Sequence, residues 1–134
     1  MGGEEVVAKV LLAEDDDSVR EFVSRVLVLH GHSVIEATDG AKAVELMNTH
    51  HFDLLITDIV MPIMDGISLA LKVRSERPHV PIVLMTGYAN ESQRAHNLSV
   101  LIEELLAKPF NKDQLVAAVN KALSSEAKVK KGAK

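Results

Sequence analysis

Five short apolar runs, each followed by a segment with helical periodicity, restrict the fold of this chain more than any other feature of its sequence. Short runs that are rich in β-branched residues and bounded by Gly, Pro or Asp predict buried strands, although such a run does not exclude a buried helical segment. Strands that alternate with helices indicate βαβ units, a parallel sheet and right-handed crossovers. The predicted strands span residues 7–13, 33–37, 54–57, 82–85 and 105–107.

Five helices are predicted between and after these strands. Asp16 or Asp17 supplies the cap of the first helix, and the fourth helix, after Asn90, has the weakest apolar stripe. Asn111 and Gln114 form a capping box for the last helix. Helices on both faces of a parallel sheet favour a doubly wound, flavodoxin-like α/β fold, a three-layer sandwich with strand order 2-1-3-4-5. The apolar stripe of the first helix consists of Val19, Phe22, Val23, Val26 and Leu27.

Composition limits the classes of protein that the chain can represent. Its 134 residues, 47% of them hydrophobic, suit one domain with a packed core. Because cysteine is absent, there is no disulfide framework and no thiolate chemistry. No apolar run approaches the roughly 18–20 residues of a membrane span, and no signal-peptide pattern is present, so we expect a cytoplasmic protein without a membrane partner. The net charge of −4 argues against direct nucleic-acid binding.

The two ends of the chain differ in charge from its middle. Residues 1–6 are expected to form a short N-terminal extension, and residues 7–124 the folded domain. Four lysines fall within the last seven residues. Residues 125–134 are therefore expected to form a basic, disordered tail or linker rather than an arm that binds nucleic acid.

Polar and charged residues follow four of the predicted strands. Glu14 and Asp15 follow the first strand, Asp58 the third, Thr86 the fourth and Lys108 the fifth. Because the carboxyl ends of neighbouring parallel strands meet at one edge of the sheet, we expect these side chains to converge there. Three carboxylates repel one another unless a cation is bound, and oxygen ligands without cysteine favour a hard ion such as Mg²⁺. A hydroxyl and an ammonium group suit a phosphoryl group, and a carboxylate can act as the nucleophile that accepts it.

Together these motifs resemble the response-regulator receiver domain of two-component signalling, the CheY-like family, over about residues 7–124. Each motif alone is weak evidence, but their order and their positions on the predicted elements make the combination specific. The pattern is similar to receivers attached to hybrid histidine kinases. The motifs are Glu14-Asp15, Asp58, Met61-Pro62, Asp65-Gly66, Thr86-Gly87 and Lys108-Pro109-Phe110.

The resemblance implies which residues bind phosphate and metal. Asp58 would accept a phosphoryl group from a phosphohistidine of a sensor histidine kinase or histidine phosphotransfer protein. Mg²⁺ would be bound by the side chains of Asp15 and Asp58, by the backbone carbonyl of Val60 and, through water, by Glu14. Such a domain is not an enzyme, beyond phosphorylating itself from phosphodonors and slowly losing the phosphate. A monomer or weak dimer is expected, and the sequence does not name the downstream protein.

The resemblance also implies how the phosphorylated state is read. Lys108 would pair with the phosphoryl group, while Thr86 would hydrogen-bond to it and switch the face formed by the fourth helix, the fifth strand and the fifth helix. The Lys108-Pro109 peptide bond would be cis. At two positions the chain departs from the usual family pattern, since Glu14 replaces the commoner Asp and Leu105 replaces the usual aromatic residue.

Val60 and Tyr88 stand where receivers of this family carry the side chains that flank the approach of hydrolytic water. Neither side chain orients water as an acid or an amide does. We therefore expect a phosphorylated form that is long-lived for a receiver.

Two other classes of function compete with this interpretation. A haloacid-dehalogenase-like phosphatase also uses a strand-end Asp with Mg²⁺, but its motif has a second Asp two residues on, where this chain has Val60 after Asp58. A pseudo-receiver is a phosphate-independent binding module in which the acids, Thr or Lys are typically degraded, whereas this chain retains all of them. We therefore expect a phosphorylated receiver, with the pseudo-receiver as the first alternative.

Overall fold

The computed structural model describes residues 7–87 and 102–132. Its sheet has five parallel strands in the order β2-β1-β3-β4-β5, which confirms the predicted doubly wound α/β fold. Every predicted strand is present, and the bounds differ by no more than one or two residues. The strands are β1 (Lys9–Ala13), β2 (Ser33–Ala37), β3 (Leu54–Asp58), β4 (Ile82–Thr86) and β5 (Glu104–Ala107).

Helices cover both faces of the sheet. The helix predicted after Asn90 lies outside the described residues, so the helix predicted as the fifth is labelled α4. No helix in the described part of the chain combines the length and the hydropathy that crossing a membrane requires. The helices are α1 (Asp17–Leu29), α2 (Gly40–Met47), α3 (Gly66–Glu76) and α4 (Lys112–Gly132).

The C-terminal helix, α4, continues to Gly132, whereas the sequence predicted a disordered tail after residue 124. The added segment, residues 125–132, contains three Lys, one Ala and one Glu, which are good helix formers. The limits of the folded domain stay a prediction, because the extent of a helix does not show where the packed core ends.

Two apolar cores lie on opposite faces of the sheet, and β3 contributes to both. Leu55 packs into the core beneath α2 and α3, whereas Leu54 and Ile56 pack into the core beneath α1 and α4. None of the three has exposed surface. Burial on both faces is the reason that these parallel strands are continuously apolar instead of alternating.

Short polar side chains fix the start of each helix. Asp16, Asp39 and Asp65 each accept a hydrogen bond from a backbone N–H in the first turn of α1, α2 and α3. The predicted capping box of α4 is confirmed, since Asn111 Oδ1 accepts the N–H of Gln114 and Gln114 Oε1 accepts the N–H of Asn111. The caps of α1 and α3 follow β1 and β3 closely, so they set the paths of the loops at the edge where the strands end.

Candidate functional site

The register of the sheet brings the ends of four strands to one edge. Ala13 of β1 pairs with Thr57 of β3, and Asp58 at the end of β3 pairs with Met85 of β4. Thr86 at the end of β4 pairs with Ala107 of β5. The residues that follow these strands therefore emerge side by side, as the strand-end argument predicted.

Three carboxylates converge at this edge. Glu14, Asp15 and Asp58 each offer a carboxylate oxygen, and these oxygens lie within 4.8 Å of one another. Glu14 and Asp58 are buried, whereas Asp15 is exposed. Oxygen donors at this spacing, with no thiolate among them, fit a hard divalent cation such as Mg²⁺.

Glu14 is the most deeply buried acid of the cluster, with no exposed surface. Its Oε2 accepts the backbone N–H of Asp16 at 2.9 Å, and its Oε1 accepts Lys108 Nζ at 3.0 Å. Burial raises the pKa of Glu14, and the nearby charge of Asp58 raises it further, although the Asp16 N–H and Lys108 act in the opposite direction. Folding therefore holds this carboxylate where its charge is costly.

The carboxylate of Asp58, at the end of the central strand β3, is also buried where its negative charge is unfavourable. Its Oδ1 accepts the N–H of Ile59 at 3.0 Å and lies 3.3 Å from Lys108 Nζ. Burial raises the pKa of Asp58, Lys108 lowers it in part, and the charge of Asp15 raises it again. Lys108 thus contacts two of the three carboxylates, and a bound divalent cation would offset the remaining negative charge of the cluster.

Lys108 reaches this cluster from the end of β5. The Lys108-Pro109 peptide bond is cis, as the family resemblance implied, and the backbone N–H of Lys108 donates to the carbonyl of Thr86 at 2.7 Å. Burial by itself would lower the pKa of the lysine, but contacts with Glu14 and Asp58 outweigh burial and raise it. The lysine is therefore held in its protonated form beside both acids.

Val60 and Thr86 take different positions at this edge. Val60 is 52% exposed and lines a cavity of about 650 Å³ together with the three carboxylates. Thr86 is buried at the end of β4. Tyr88, the other predicted neighbour of hydrolytic water, lies outside the described residues.

The cavity has an apolar wall that the sequence analysis did not identify as part of the site. Phe22 was predicted as part of the buried stripe of α1, but it is 40% exposed and its ring lies 6.3 Å from that of Phe110. Val19 and Pro109 line the same wall. The only signal in the sequence was the position of Phe110, immediately after the Lys108-Pro109 pair.

Gly66, at the start of α3, entered the sequence analysis only as part of the Asp65-Gly66 motif. In the structure a Cβ at Gly66 would overlap the carbonyl oxygen of Asp58, so no other residue fits without a backbone shift. The N–H of Gly66 donates to the carbonyl of Ile59 at 2.7 Å. Gly66 thus allows the loop that leaves β3 to close tightly behind Asp58.

Comparisons with known proteins agree with this geometry. A family model described as the response regulator receiver domain matches residues 10–120. The chain is 37% identical over 115 residues to the response regulator receiver protein CpdR of Brucella abortus, covering 86% of this chain and 96% of that protein. It is 40% identical over 118 residues to the sensor histidine kinase TmoS of Ectopseudomonas mendocina. That match covers 87% of this chain but only 12% of TmoS.

Solved structures show the same fold. The chemotaxis response regulator CheY4 of Vibrio cholerae superposes with a TM-score of 0.80 at 32% identity, covering 88% of this chain and all of that one (100%). NtrX of Brucella abortus gives a TM-score of 0.88 at 23% identity over 96% of this chain and 30% of its own, a likeness that concerns the fold alone. Several relatives are much longer than this chain, which spans 9% of the sensor protein EvgS of Escherichia coli.

Proposed function

This chain belongs to the response regulator receiver domain family of two-component signalling, and from that premise we propose that Asp58 accepts a phosphoryl group while Mg²⁺ is bound beside it. The observation that carries the proposal is the position of Lys108, whose Nζ lies 3.3 Å from Asp58 Oδ1 at the edge of the three-carboxylate cluster. A carboxylate nucleophile, a hard-cation site and a fixed ammonium group are the parts that phosphoryl transfer to an aspartate requires.

The transfer converts one covalent bond into another. An oxygen–phosphorus bond forms to the carboxylate of Asp58 while the phosphorus–nitrogen bond of a phosphohistidine breaks. The electron pair of that bond stays on the imidazole ring, which takes up a proton from water. Lys108 compensates the charge of the incoming phosphoryl oxygens, because its raised pKa keeps it protonated. When bound, Mg²⁺ supplies further charge stabilisation for those oxygens.

Asp15, Asp58 and Val60 are the residues that would hold Mg²⁺ directly, the last through its backbone carbonyl. Asp15 is exposed and Val60 lines the same cavity, so both are accessible to a hydrated ion. Glu14 already accepts two hydrogen bonds, which favours contact with the ion through water. Calorimetric titration of Asp15→Asn and Glu14→Gln with Mg²⁺ tests this assignment.

We further propose that the phosphorylated state is read on the face formed by the predicted fourth helix, β5 and α4. Phosphorylation adds roughly two negative charges between Thr86 and Lys108. The predicted fourth helix follows Thr86 in the chain, and Lys108 lies between β5 and α4. Leu105 on β5 is half-buried and packs against the core, so no aromatic side chain is available there to change position with Thr86. We expect modest hydrogen-exchange changes in β5 and α4, and changes confined to α1 and α2 would contradict this proposal.

The proposed phosphodonor is a sensor histidine kinase or a histidine phosphotransfer protein. TmoS and EvgS, both named as sensor proteins or kinases, contain segments similar to this chain, which supports a histidine kinase as partner. Beyond accepting the phosphoryl group and losing it slowly, we propose no enzymatic activity. A turnover assay with a chromogenic phosphomonoester tests this, since steady release of product would instead favour a phosphatase.

Labelling with a small phosphodonor tests the phosphoacceptor. With acetyl phosphate and Mg²⁺, intact-mass measurement of the wild-type protein should show one added phosphoryl group, and Asp58→Asn should show none. Asp53→Asn is the matched control, because Asp53 precedes the same strand at its opposite end and an asparagine oxygen can still accept the N–H of Lys9. Labelling of Asp58→Asn at the wild-type rate would disprove the assignment. Failure of the wild-type protein to be labelled would favour a phosphate-independent binding module.

A further inference from the structure

Arg20, on α1, connects three parts of the chain beside the acidic cluster. Its Nη1 donates to the backbone carbonyl of Glu14 at 2.9 Å, and its Nη2 donates to Asp17 Oδ1 at 2.6 Å. Its Nε donates to Glu36 Oε1 on β2 at 3.2 Å. The side chain is only 16% exposed. The guanidinium group therefore joins the β1–α1 loop to the edge strand of the sheet, without belonging to the carboxylate cluster itself.

The carbonyl that Arg20 binds belongs to the peptide between Glu14 and Asp15. Because a peptide group is planar, a hydrogen bond that holds this carbonyl restricts ψ of Glu14 and φ of Asp15. The preceding peptide is held as well, since the N–H of Glu14 donates to the carbonyl of Ala37 at 3.0 Å. These contacts fix the directions in which the two side chains leave the backbone, with Glu14 buried and Asp15 exposed.

We propose that Arg20 is a positioning residue for the divalent cation, which holds the peptide between Glu14 and Asp15 so that both carboxylates face one ion. The inference rests on the proposed function, because it presumes the cation site. The contact has an electrostatic cost, since a guanidinium group close to the acids repels a divalent cation. Positioning and charge therefore predict opposite effects when Arg20 is replaced by a neutral residue.

The geometry requires arginine rather than any cation. The planar guanidinium group donates in three directions, to a backbone carbonyl and to two carboxylates from different segments. A lysine at this position keeps the charge, but its three N–H donors share one nitrogen at the end of a flexible stem instead of a rigid planar group. Arg20→Lys therefore removes the fixed hydrogen-bond geometry of the guanidinium group while it keeps the positive charge.

Arg25 provides a matched control on the same helix. It is an exposed arginine on α1, and no side-chain hydrogen bond or ion pair joins it to the β1–α1 loop within the described residues. Arg25→Gln removes the same charge as Arg20→Gln, so it measures how much of any change in metal affinity comes from the net charge of the protein.

Titration of the 134-residue chain with MgCl₂ by isothermal calorimetry tests the proposal. We expect Arg20→Gln to weaken Mg²⁺ binding about tenfold, the lower end of the range for residues that orient metal ligands. Arg20→Lys should also bind more weakly than the wild type, although its charge is unchanged. Arg25→Gln should bind as well as the wild type or slightly better. With acetyl phosphate, raising the Mg²⁺ concentration should restore the phosphorylation rate of Arg20→Gln, because the acceptor carboxylate is intact.

The outcomes distinguish this inference from the function on which it rests. If the wild type binds Mg²⁺ but Arg20→Gln binds it equally or more tightly, then charge alone governs the site and the positioning role is wrong. If Arg20→Gln fails to fold, as judged by circular dichroism, Arg20→Lys decides, and wild-type affinity in that variant overturns the proposal. If the wild type itself shows no Mg²⁺ binding, the proposed function is wrong, and the role proposed for Arg20 is then wrong as well.

Discussion

The ammonium group of Lys108 lies 3.0 Å from Oε1 of Glu14, a carboxylate with no exposed surface. The same group lies 3.3 Å from Asp58 Oδ1, so one lysine is shared between a buried acid and the proposed phosphoacceptor. The other oxygen of Glu14 is bound only by the N–H of Asp16 among the described residues. When no cation is bound, the negative charge of Glu14 is therefore compensated by the ammonium group of Lys108.

Removing Lys108 should destabilise the metal-free protein. Lys108→Met leaves Glu14 without its counter-charge, and breaking a fully buried ion pair costs about 3–5 kcal/mol. Because Lys108 is 23% exposed, water replaces part of the lost contact, and we expect about 1–3 kcal/mol in urea unfolding with a chelator present. Lys121→Met is the control, since that lysine is 74% exposed and lies 3.8 Å from Glu104, so its loss should cost less than about 1 kcal/mol. Equal unfolding midpoints for the two variants would contradict this prediction.

Neutralising Asp58 should stabilise the metal-free protein, and the gain should depend on pH. Burial raises the pKa of Asp58 in the folded state, so the unfolded chain loses this proton more readily than the folded protein does. The carboxylate therefore lowers stability as the pH rises from the ordinary carboxyl pKa, 3.8, through the raised value, and the effect is constant above that. The stability of Asp58→Asn should equal that of the wild type at the acidic end of this pH range. At neutral pH the variant should be more stable than the wild type.

Thermal unfolding of both proteins over this pH range, with a chelator present, tests the sign of the effect. Asp53→Asn is a suitable control, because Asp53 is exposed and its side chain accepts only the backbone N–H of Lys9 in the described structure. A gain from Asp58→Asn that is largest at acidic pH would show that Lys108 outweighs burial, and would disprove the predicted direction.

The fold and the carboxylate cluster could be predicted from the sequence because both follow from local rules. Strands buried on both faces are continuously apolar, so their ends can be recognised directly. Parallel strands place those ends at one edge, which is sufficient to bring Asp58, Asp15 and Lys108 together.

The contacts that surround the cluster could not be predicted, because they depend on which face of a helix meets which loop. The spacing of Phe22 fits the apolar stripe of α1, yet its ring lies at the rim of the cavity near Phe110. The role of Arg20 depends on a backbone carbonyl, which has no signature in the sequence. The need for Gly66 arises from the close approach of the Asp58 carbonyl, which becomes apparent only when the loop is built.

Asp15 and Glu14 should contribute unequally to Mg²⁺ binding. Asp15 is exposed to the cavity, whereas both oxygens of Glu14 already accept hydrogen bonds. We therefore expect Asp15→Asn to weaken binding strongly, by about tenfold or more, and Glu14→Gln to weaken it less. Calorimetric titration measures both effects, with Glu21→Gln on the exposed side of α1 as the charge control. Equal affinities for the wild type and Asp15→Asn would rule out Asp15 as a direct ligand.

Ile63 has a backbone conformation that does not suit its side chain. It adopts φ of 73° in the loop after β3, and it is 81% exposed. A β-branched residue in the left-handed region costs roughly 1–2 kcal/mol, and an exposed side chain gains little from packing. Ile63→Gly should therefore raise the free energy of unfolding by about 1 kcal/mol after the entropic cost of glycine. Ile63→Val keeps the branch and should give no gain, and a loss of stability in Ile63→Gly would mean that the side chain has contacts that outweigh the strain.

The lifetime of the phosphorylated form should be controlled by the side chains that flank the approach of water to Asp58. Val60 is half-exposed, lines the cavity and has no polar atom with which to orient a water molecule. Positioning by a general base is typically worth about 10²–10⁴-fold in rate, so its absence should make hydrolysis slow. Tyr88, the second flanking position in the sequence pattern, carries no carboxylate or amide with which to orient that water.

The decay of the phosphorylated protein, measured with Mg²⁺ present after the donor is removed, tests this expectation. Val60→Asn combined with Tyr88→Glu should decay faster than the parent by a factor in the lower part of the same range, about 10²-fold. Ile63→Asn is the control, since it places the same amide side chain in the same loop but outside the cavity lining, and it should leave the rate unchanged. If the double variant decays no faster than the parent, the residues at positions 60 and 88 do not control the attacking water, and this prediction is wrong.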